Sequence, residues 1–331
     1  MNEMRYDFDD YLRALSPAVQ TRHIDADESI FFARQLEHIK TQVWEIVYAE
    51  MKARDLIPVS TVADPADTSI TYDQYDKTGL ARVVRDYAND FSRIDVSGKQ
   101  YTAKVVSLGD GFGYTIQELR ASRKTGKPLD QKRAAAAQEA ARRLENRFAW
   151  LGNADDGQYG LLSHPNINHF SVPADGTGAS TLWTAKTPLQ ILRDLNLVAN
   201  YAFVITKGIE VSNTMLFSHA AWVMVNITPL SNLATTTIME FFRKSNPQIT
   251  HVDYIPELDT DATSPVTVLQ SHDSIVAYTR DPMKLTMEIP QDFEMFPPVQ
   301  KGMEFQVACH SRWGGLLLYK PLCVTRGDSI I

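Results

Sequence analysis

The sequence predicts an α+β fold, and three observations predict it. Apolar residues recur at three- and four-residue spacing over 27–55 and again over 129–151, they alternate with polar neighbours over 69–114, and the C-terminal part reads as strands broken by prolines. With 331 residues, 44% hydrophobic and 22% charged content, the chain buries a sizeable core in roughly one to three domains. Ordinary glycine and proline usage excludes collagen-like and low-complexity chains.

The elements follow in order. Residues 1–22 hold a short amphipathic start, DFDDYLRAL, which reads as an arm. Asp27 to Asp55 reads as one helix with Phe32, Leu36, Ile39, Val43, Ile46 and Val47 on its apolar face, and Pro58 ends it. Ser69 to Tyr114 alternates as β-structure, with Gly79 and Gly98 expected at turns. Its charges are mixed and its core residues few, so it is marginal alone and expected to pack on a neighbour. Thr115 to Ser122 is expected as a short helix, and Gly126-Lys127-Pro128 as a break. A long helix from Leu129 to Leu151 follows, packing through Ala137, Ala141, Leu144, Phe148 and Leu151 along roughly 34 Å. A helix is expected from Pro188 to about Thr206, a strand at Thr214–Ser218, and helices at His219–Asn226 and Thr235–Lys244. The last stretch, EFQVACHSRWGGLLLYKPLCVTRGDSI, alternates like a buried antiparallel pair. No internal repeat supports a solenoid or propeller.

The residues that carry chemistry do not gather into a site. Gly109-Asp110-Gly111-Phe112-Gly113 fits neither the dinucleotide nor the phosphate-loop spacing and is expected as a turn or bulge. His164 and His169, with Asp155 and Asp156, span a proline-containing loop instead of one helical face, so a solvated loop is favoured over a metal site. Ser163 beside His164 lacks the GxSxG elbow, and Ser311 beside His310 fares no better. Cys309 and Cys323, without Cys-x-x-Cys spacing, read as buried reduced thiols. Arg133, Arg142, Arg143 and Arg147 read as a solvated helix face, with nucleic-acid contact as the sharper alternative. A net charge of −7 argues against coating nucleic acid through phosphate neutralisation. No apolar run approaches the ~18–20 residues that cross a bilayer, and the acidic start does not read as a signal peptide, so a cytosolic chain without membrane contact is expected. Nothing demands catalysis, a metal or a cofactor.

Three stretches are more specific. ARQLEHIKTQVWEIVYAEMKARDLIPVST, TYDQYDKTGLARVV, and YTIQELRASRKTGKPLDQKRAAAAQEAARRLENRFAWLG with GLLSHPNI resemble a family of tailed-phage major capsid proteins with the Hong Kong 97 type capsid fold, itself related to the encapsulins. The resemblance is strongest from Ala33 to Ile167. It implies an N-terminal arm and helix at 1–60 and an extended β-hairpin loop at 61–114 that lies over the adjacent subunit. It further implies a peripheral domain at 115–180 with 129–151 as its spine helix, an axial domain at 181–275, and C-terminal strands at 276–331 returning to the peripheral domain. Tyr72, Asp76, Lys77, Arg82, Arg85, Asp86, Arg93 and Lys99 of the extended loop become the expected inter-subunit residues.

The function so implied is structural. Copies assemble as pentamers and hexamers into an icosahedral shell around phage double-stranded DNA, without sequence-specific contacts, aided by portal and scaffolding proteins, in the host cytoplasm and then the virion. Two alternatives stay open: an encapsulin-like compartment shell, and a cytosolic hydrolase or ligand-binding protein with a site between Gly152 and His169.

Overall fold

The computed structural model describes residues 50–79, 95–125, 129–231, 236–260, 273–328 and 330–331. The expected arm, most of the 27–55 helix and the 126–128 break lie outside these residues. In the N-terminal part the elements are α1 (Ala53–Leu56), β1 (Val59–Ser60), β2 (Ser69–Thr78), β3 (Asp95–Lys104), β4 (Val106–Thr115), α2 (Ile116–Thr125) and α3 (Leu129–Leu151). Next come β5 (Gly152–Asn153), β6 (Gln158–Tyr159), β7 (Asn168–Ser171), α4 (Pro188–Ile205), β8 (Thr214–Phe217), α5 (His219–Ile227), α6 (Ile238–Ser245) and β9 (His251–Tyr254). The C-terminal part holds β10 (Ile275–Tyr278), β11 (Leu285–Glu288), β12 (Gln291–Met295), β13 (Val299–Lys301), β14 (Glu304–Trp313), β15 (Gly315–Leu318) and β16 (Val324–Asp328).

One mixed sheet, in the order β7-β16-β10-β8-β9, separates two cores. Side chains alternate across a strand, so Met215, Phe217, Ile275 and Ala277 point into the core shared with α4, α5 and α6. Leu216, Val276 and Tyr278 point the other way, to Trp150, Leu161, Leu285 and Trp313. Burial on both faces explains why TMLF and IVAY read as continuous apolar runs instead of alternating ones. Each fully buried side chain of this kind contributes about 1.5–3 kcal/mol.

Helices α4, α5 and α6 start where Thr or Ser supplies a cap. Thr187 and Gln190 form a reciprocal capping box at α4, with Pro188 in the first turn, Thr237 and Glu240 do so at α6, and the Ser218 hydroxyl accepts from the Ala221 N–H at α5. Helix α3 ends against a hairpin so tight that a Cβ on Gly160 would collide with the Trp150 backbone, and Gly152 adopts a φ of 79°.

Four expectations need correction. The predicted 27–55 helix does not continue to its expected end: 50–52 are not helical, and α1 is a separate single turn closed by Ile57. The hairpin of β2 and β3 ends at Lys104, because β4 leaves it and pairs along its whole length with β14. Neither Gly98 nor Gly109–Gly113 is a turn: Gly98 sits within β3 opposite Tyr75, and 109–113 lie in an unbroken ten-pair ladder without a bulge. The C-terminal stretch is not one antiparallel pair, since β14, β15 and β16 join three different sheets. Alternation fixes which face a residue takes and carries no information about which strand is its partner. Cys309 and Cys323 are buried free thiols.

Candidate functional site

Two surfaces assembled from separate stretches of sequence stand out. The first is the β2–β3 hairpin. Its ladder runs from the Ser69–Lys104 pair to the Thr78–Asp95 pair, and beyond its root nearly every residue is exposed. The root is fixed by aromatic contacts: Tyr72 stacks on Tyr101 at 5.3 Å and meets Tyr319 edge-on at 4.8 Å. Gln158 adds a 2.6 Å hydrogen bond to the Lys104 carbonyl, and Arg312 donates to that of Pro65. Burial pushes the Tyr72 phenol above its ordinary pKa. Of the expected inter-subunit residues, Tyr72 is thus engaged within the chain, whereas Asp76 and Lys77 are exposed. Lys99 places its ammonium 4.9 Å from the Tyr101 ring centre. Arg82, Arg85, Asp86 and Arg93 lie outside the described residues. Tyr75 and Val96, which sequence reasoning passed over, are the large apolar side chains that the described hairpin leaves exposed.

The second surface is built on the spine helix α3. Ala137 packs with Val307 and Cys309 under Phe112, Tyr114 and Phe293. Ala141 and Leu144 line a groove of about 190 Å³ against Leu108 and Cys309. Phe148 packs on Trp313 at 6.3 Å, and Leu151 lies half-buried at the edge of the main core. The helix buries a second stripe that periodicity alone did not single out, namely Glu145, Asn146, Ala149 and Trp150.

That stripe clamps α1. Arg54 reaches Glu145 at 2.7 Å and Asp292 at 2.8 Å, and Asn146 accepts from the Ala53 N–H at 3.0 Å while donating to Glu257. Lys52 binds Asp253 at 2.7 Å and sits 3.7 Å over the Tyr254 ring. The hydrogen bond from Arg54 holds the Asp292 carboxyl below its usual range. Glu145 moves the other way, because burial outweighs its Arg54 partner.

The 152–169 segment borders an open cleft of about 490 Å³ at the hairpin root, lined by Tyr101, Asp156, Tyr159 and His164 among others. Ser163 is committed to backbone: its hydroxyl donates to the Leu151 carbonyl at 2.7 Å and accepts from the Gly160 N–H at 2.9 Å. His164 packs edge-on against Tyr159, and burial lowers its pKa. His169 pairs instead with Asp328 at 3.2 Å. Among the described residues, no three His, Cys, Asp or Glu side chains stand close enough to hold a metal ion. None of the described helices is long and apolar enough to cross a membrane. On α3, Arg133 bonds Glu118 and the Gly113 carbonyl, and Arg143 pairs with Glu139 at 2.8 Å.

Comparison with known proteins adds the family. A family model described as "Major capsid protein" matches residues 79–330. The comparison with curated proteins matches nothing. Among solved structures, the capsid of Myoviridae phage XM1 is similar with a TM-score of 0.76 at 16% identity, covering 90% of this chain and 98% of that one. The capsid of an empty GTA particle, computed with C5 symmetry, is similar with a TM-score of 0.62 at 10% identity, covering 94% and 100%. A virus-like particle from Pyrococcus furiosus is similar with a TM-score of 0.51 at 13% identity, covering 83% and 91%. The fold is the Hong Kong 97 type expected from the sequence, and the chain belongs to the major capsid protein family, whose members form the protein shell of a capsid.

Proposed function

We propose that this chain assembles as pentamers and hexamers into an icosahedral shell that encloses phage double-stranded DNA. The observation that carries this reading is the family match across 79–330, joined to a hairpin with almost no core of its own. An element of that kind gains order by pairing across a subunit boundary, where mixed charge sets register. We assign Asp76, Lys77 and Lys99, with Arg82, Arg85, Asp86 and Arg93, to that boundary, and Tyr72 to holding the hairpin at its root. Repeated heterologous contacts close into rings and a shell, and each contact can be weak because one subunit makes several.

On this reading 1–60 is the arm, 61–104 the extended loop, 181–275 the axial domain, and 115–180 with 276–331 the peripheral domain. The strand at 106–115 belongs to the peripheral domain, as its pairing with β14 suggests. The net charge of −7 suits a wall that surrounds DNA without gripping it. Portal and scaffolding proteins are the expected helpers, the host cytoplasm is the place of assembly, and the chain itself catalyses no reaction. Negative-stain electron microscopy with light scattering on the purified chain tests this. Shells, rings or tubes tens of nanometres across are expected, and a particle with the mass of a single chain at every concentration, with scaffold present, overturns it. Nucleic acid co-purifying from infected or induced cells separates a DNA shell from an enzyme-carrying compartment.

A further inference from the structure

Charge is not spread evenly along the chain. Residues 116–151, which hold α2 and α3, carry nine Lys and Arg against four Asp and Glu, while the whole chain sums to −7. The remainder therefore carries −12. The acids of this stretch do little to cancel its exposed bases: Glu118 is bonded to Arg133, Glu139 to Arg143, and Glu145 is buried against Arg54. Arg120, Arg123, Lys124 and Arg147 are exposed, and among the described residues none of the four has a hydrogen bond or ion pair.

Helical spacing turns this surplus into a surface. On α3 the exposed Lys132, Arg143 and Arg147 recur after three turns and then one, so they lie within one stripe roughly 22 Å long. Exposed Ala135, Ala136 and Ala140 lie between them along the helix, whereas Ala137 and Ala141 face the sheet. Arg120, Arg123 and Lys124 share one side of α2 by the same rule. A face kept merely soluble intersperses both signs; here one sign is left over. A protein-docking site would centre on aromatic or large apolar anchors. The described residues of α2 and α3 expose no such side chain, since Phe148 packs on Trp313 and Trp150 is buried. The same lack of rings argues against single-stranded nucleic acid, whose bases stack on aromatics.

A regular row of phosphates fits what remains. Duplex DNA carries one negative charge per about 1.7 Å of its axis, so a stripe of this length faces on the order of a dozen. Arginine, which supplies most of the unpaired charge, presents a planar fork that matches phosphate oxygens. Resting on the reading of the chain as a DNA shell, we propose that the basic face of α2 and α3 is the surface that touches the enclosed duplex, through its phosphates alone. Such contacts carry no sequence information. Each is weak, and the many copies of a shell add them up, while the acidic remainder of the chain holds the duplex off elsewhere.

The test removes charge at two places. In the full-length chain, Arg120→Gln, Arg123→Gln and Arg147→Gln together delete three exposed, unpaired cations, so the unfolding temperature stays unchanged. Arg243→Gln, Lys244→Gln and Lys301→Gln delete three exposed cations from α6 and β13 as a matched control. Binding of a fluorescein-labelled 30-base-pair duplex to unassembled chain is followed by anisotropy across a salt series. The first variant is expected to lose about tenfold or more in affinity at 0.1 M salt, with the salt slope reduced by about one per arginine removed, and the control to change less than twofold. Formaldehyde crosslinking of DNA-filled particles is expected to place nucleotide adducts on peptides within 116–151. Equal losses in both variants, no loss in either, or adducts confined to other segments overturn the proposal. Tighter binding to polyglutamate than to the duplex overturns it in favour of an acidic protein partner. If the wild-type chain forms no particles, the shell reading fails, while the anisotropy comparison still decides whether this face binds DNA.

Discussion

The five-stranded sheet and the β2–β3 hairpin are built on opposite principles. The sheet is buried on both faces, with Met215 and Phe217 in one core and Leu216 and Tyr278 in the other. The hairpin has a longer ladder, yet only its root is packed, through Tyr72 on Tyr101 and Tyr319. Backbone pairing alone therefore does not decide where stability resides, because a ladder hydrogen bond replaces one to water and nets only about 0.5–1.5 kcal/mol. The sheet region holds the subunit together, and the hairpin beyond its root adds little packing to it.

The largest effects belong to the doubly packed region. Trp150 is fully buried where the spine helix meets the sheet, and its indole N–H donates to Asn146. Trp150→Ala is expected to cost about 3–5 kcal/mol in denaturant unfolding. Next comes the start of α4, where Lys186 and Asp194 have fully buried side chains 2.6 Å apart. Lys186 also donates to the Pro173 carbonyl, and Arg193 shares Asp194 at 2.7 Å. Lys186→Met leaves a buried carboxylate with one partner fewer and is expected to cost about 3 kcal/mol or more, whereas Lys186→Met with Asp194→Leu recovers most of it. A double variant no better than the single one would mean that the pair stabilises beyond its desolvation cost.

These two regions also differ in how far the sequence discloses them. The spine stripe from Ala137 to Phe148 was legible because a helix of 23 residues repeats its period often enough to be seen. Short strands were legible as strands but not as neighbours: GDGFG resembles a turn by composition, and its place in a ladder depends on β14, about two hundred residues later. Glu145 and Asn146 were hidden for another reason. They are polar, so a hydrophobic pattern skips them, and their burial depends on α1 and Glu257 arriving from elsewhere. A usable signal was present in Thr-x-x-Glu/Gln at 115–118, 187–190 and 237–240, each of which caps a helix. At Tyr72 the geometry shows an internal anchor on Tyr101 and Tyr319, which the strand pattern alone did not indicate.

That anchor gives a smaller stability effect with a sharper functional reading. Tyr72→Ala removes one stacked and one edge-on ring contact from a half-exposed position, so unfolding stability is expected to fall by only about 1 kcal/mol. Shell formation, read by electron microscopy, is expected to fail, because the hairpin loses its fixed direction. A stability loss as large as that of Trp150→Ala would break the contrast between the two regions.

The smallest effect tests the clamp that joins the spine helix, α1 and Glu257. Burial raises the Glu257 carboxyl above its ordinary pKa, outweighing the hydrogen bond from Asn146; nearby Asp259 raises it further and His219 opposes this. A carboxyl that holds its proton more tightly when folded contributes stability that is present below its unfolded pKa, roughly 4.3, and is lost as pH rises through the raised value. Glu257→Gln keeps an oxygen for Asn146 and removes the buried charge. Its expected unfolding stability matches wild type near pH 4 and exceeds it at pH 7. The reverse order at pH 7 would show that the Asn146 bond to a charged acceptor outweighs desolvation, and that the clamp draws its strength from charge instead of tolerating it.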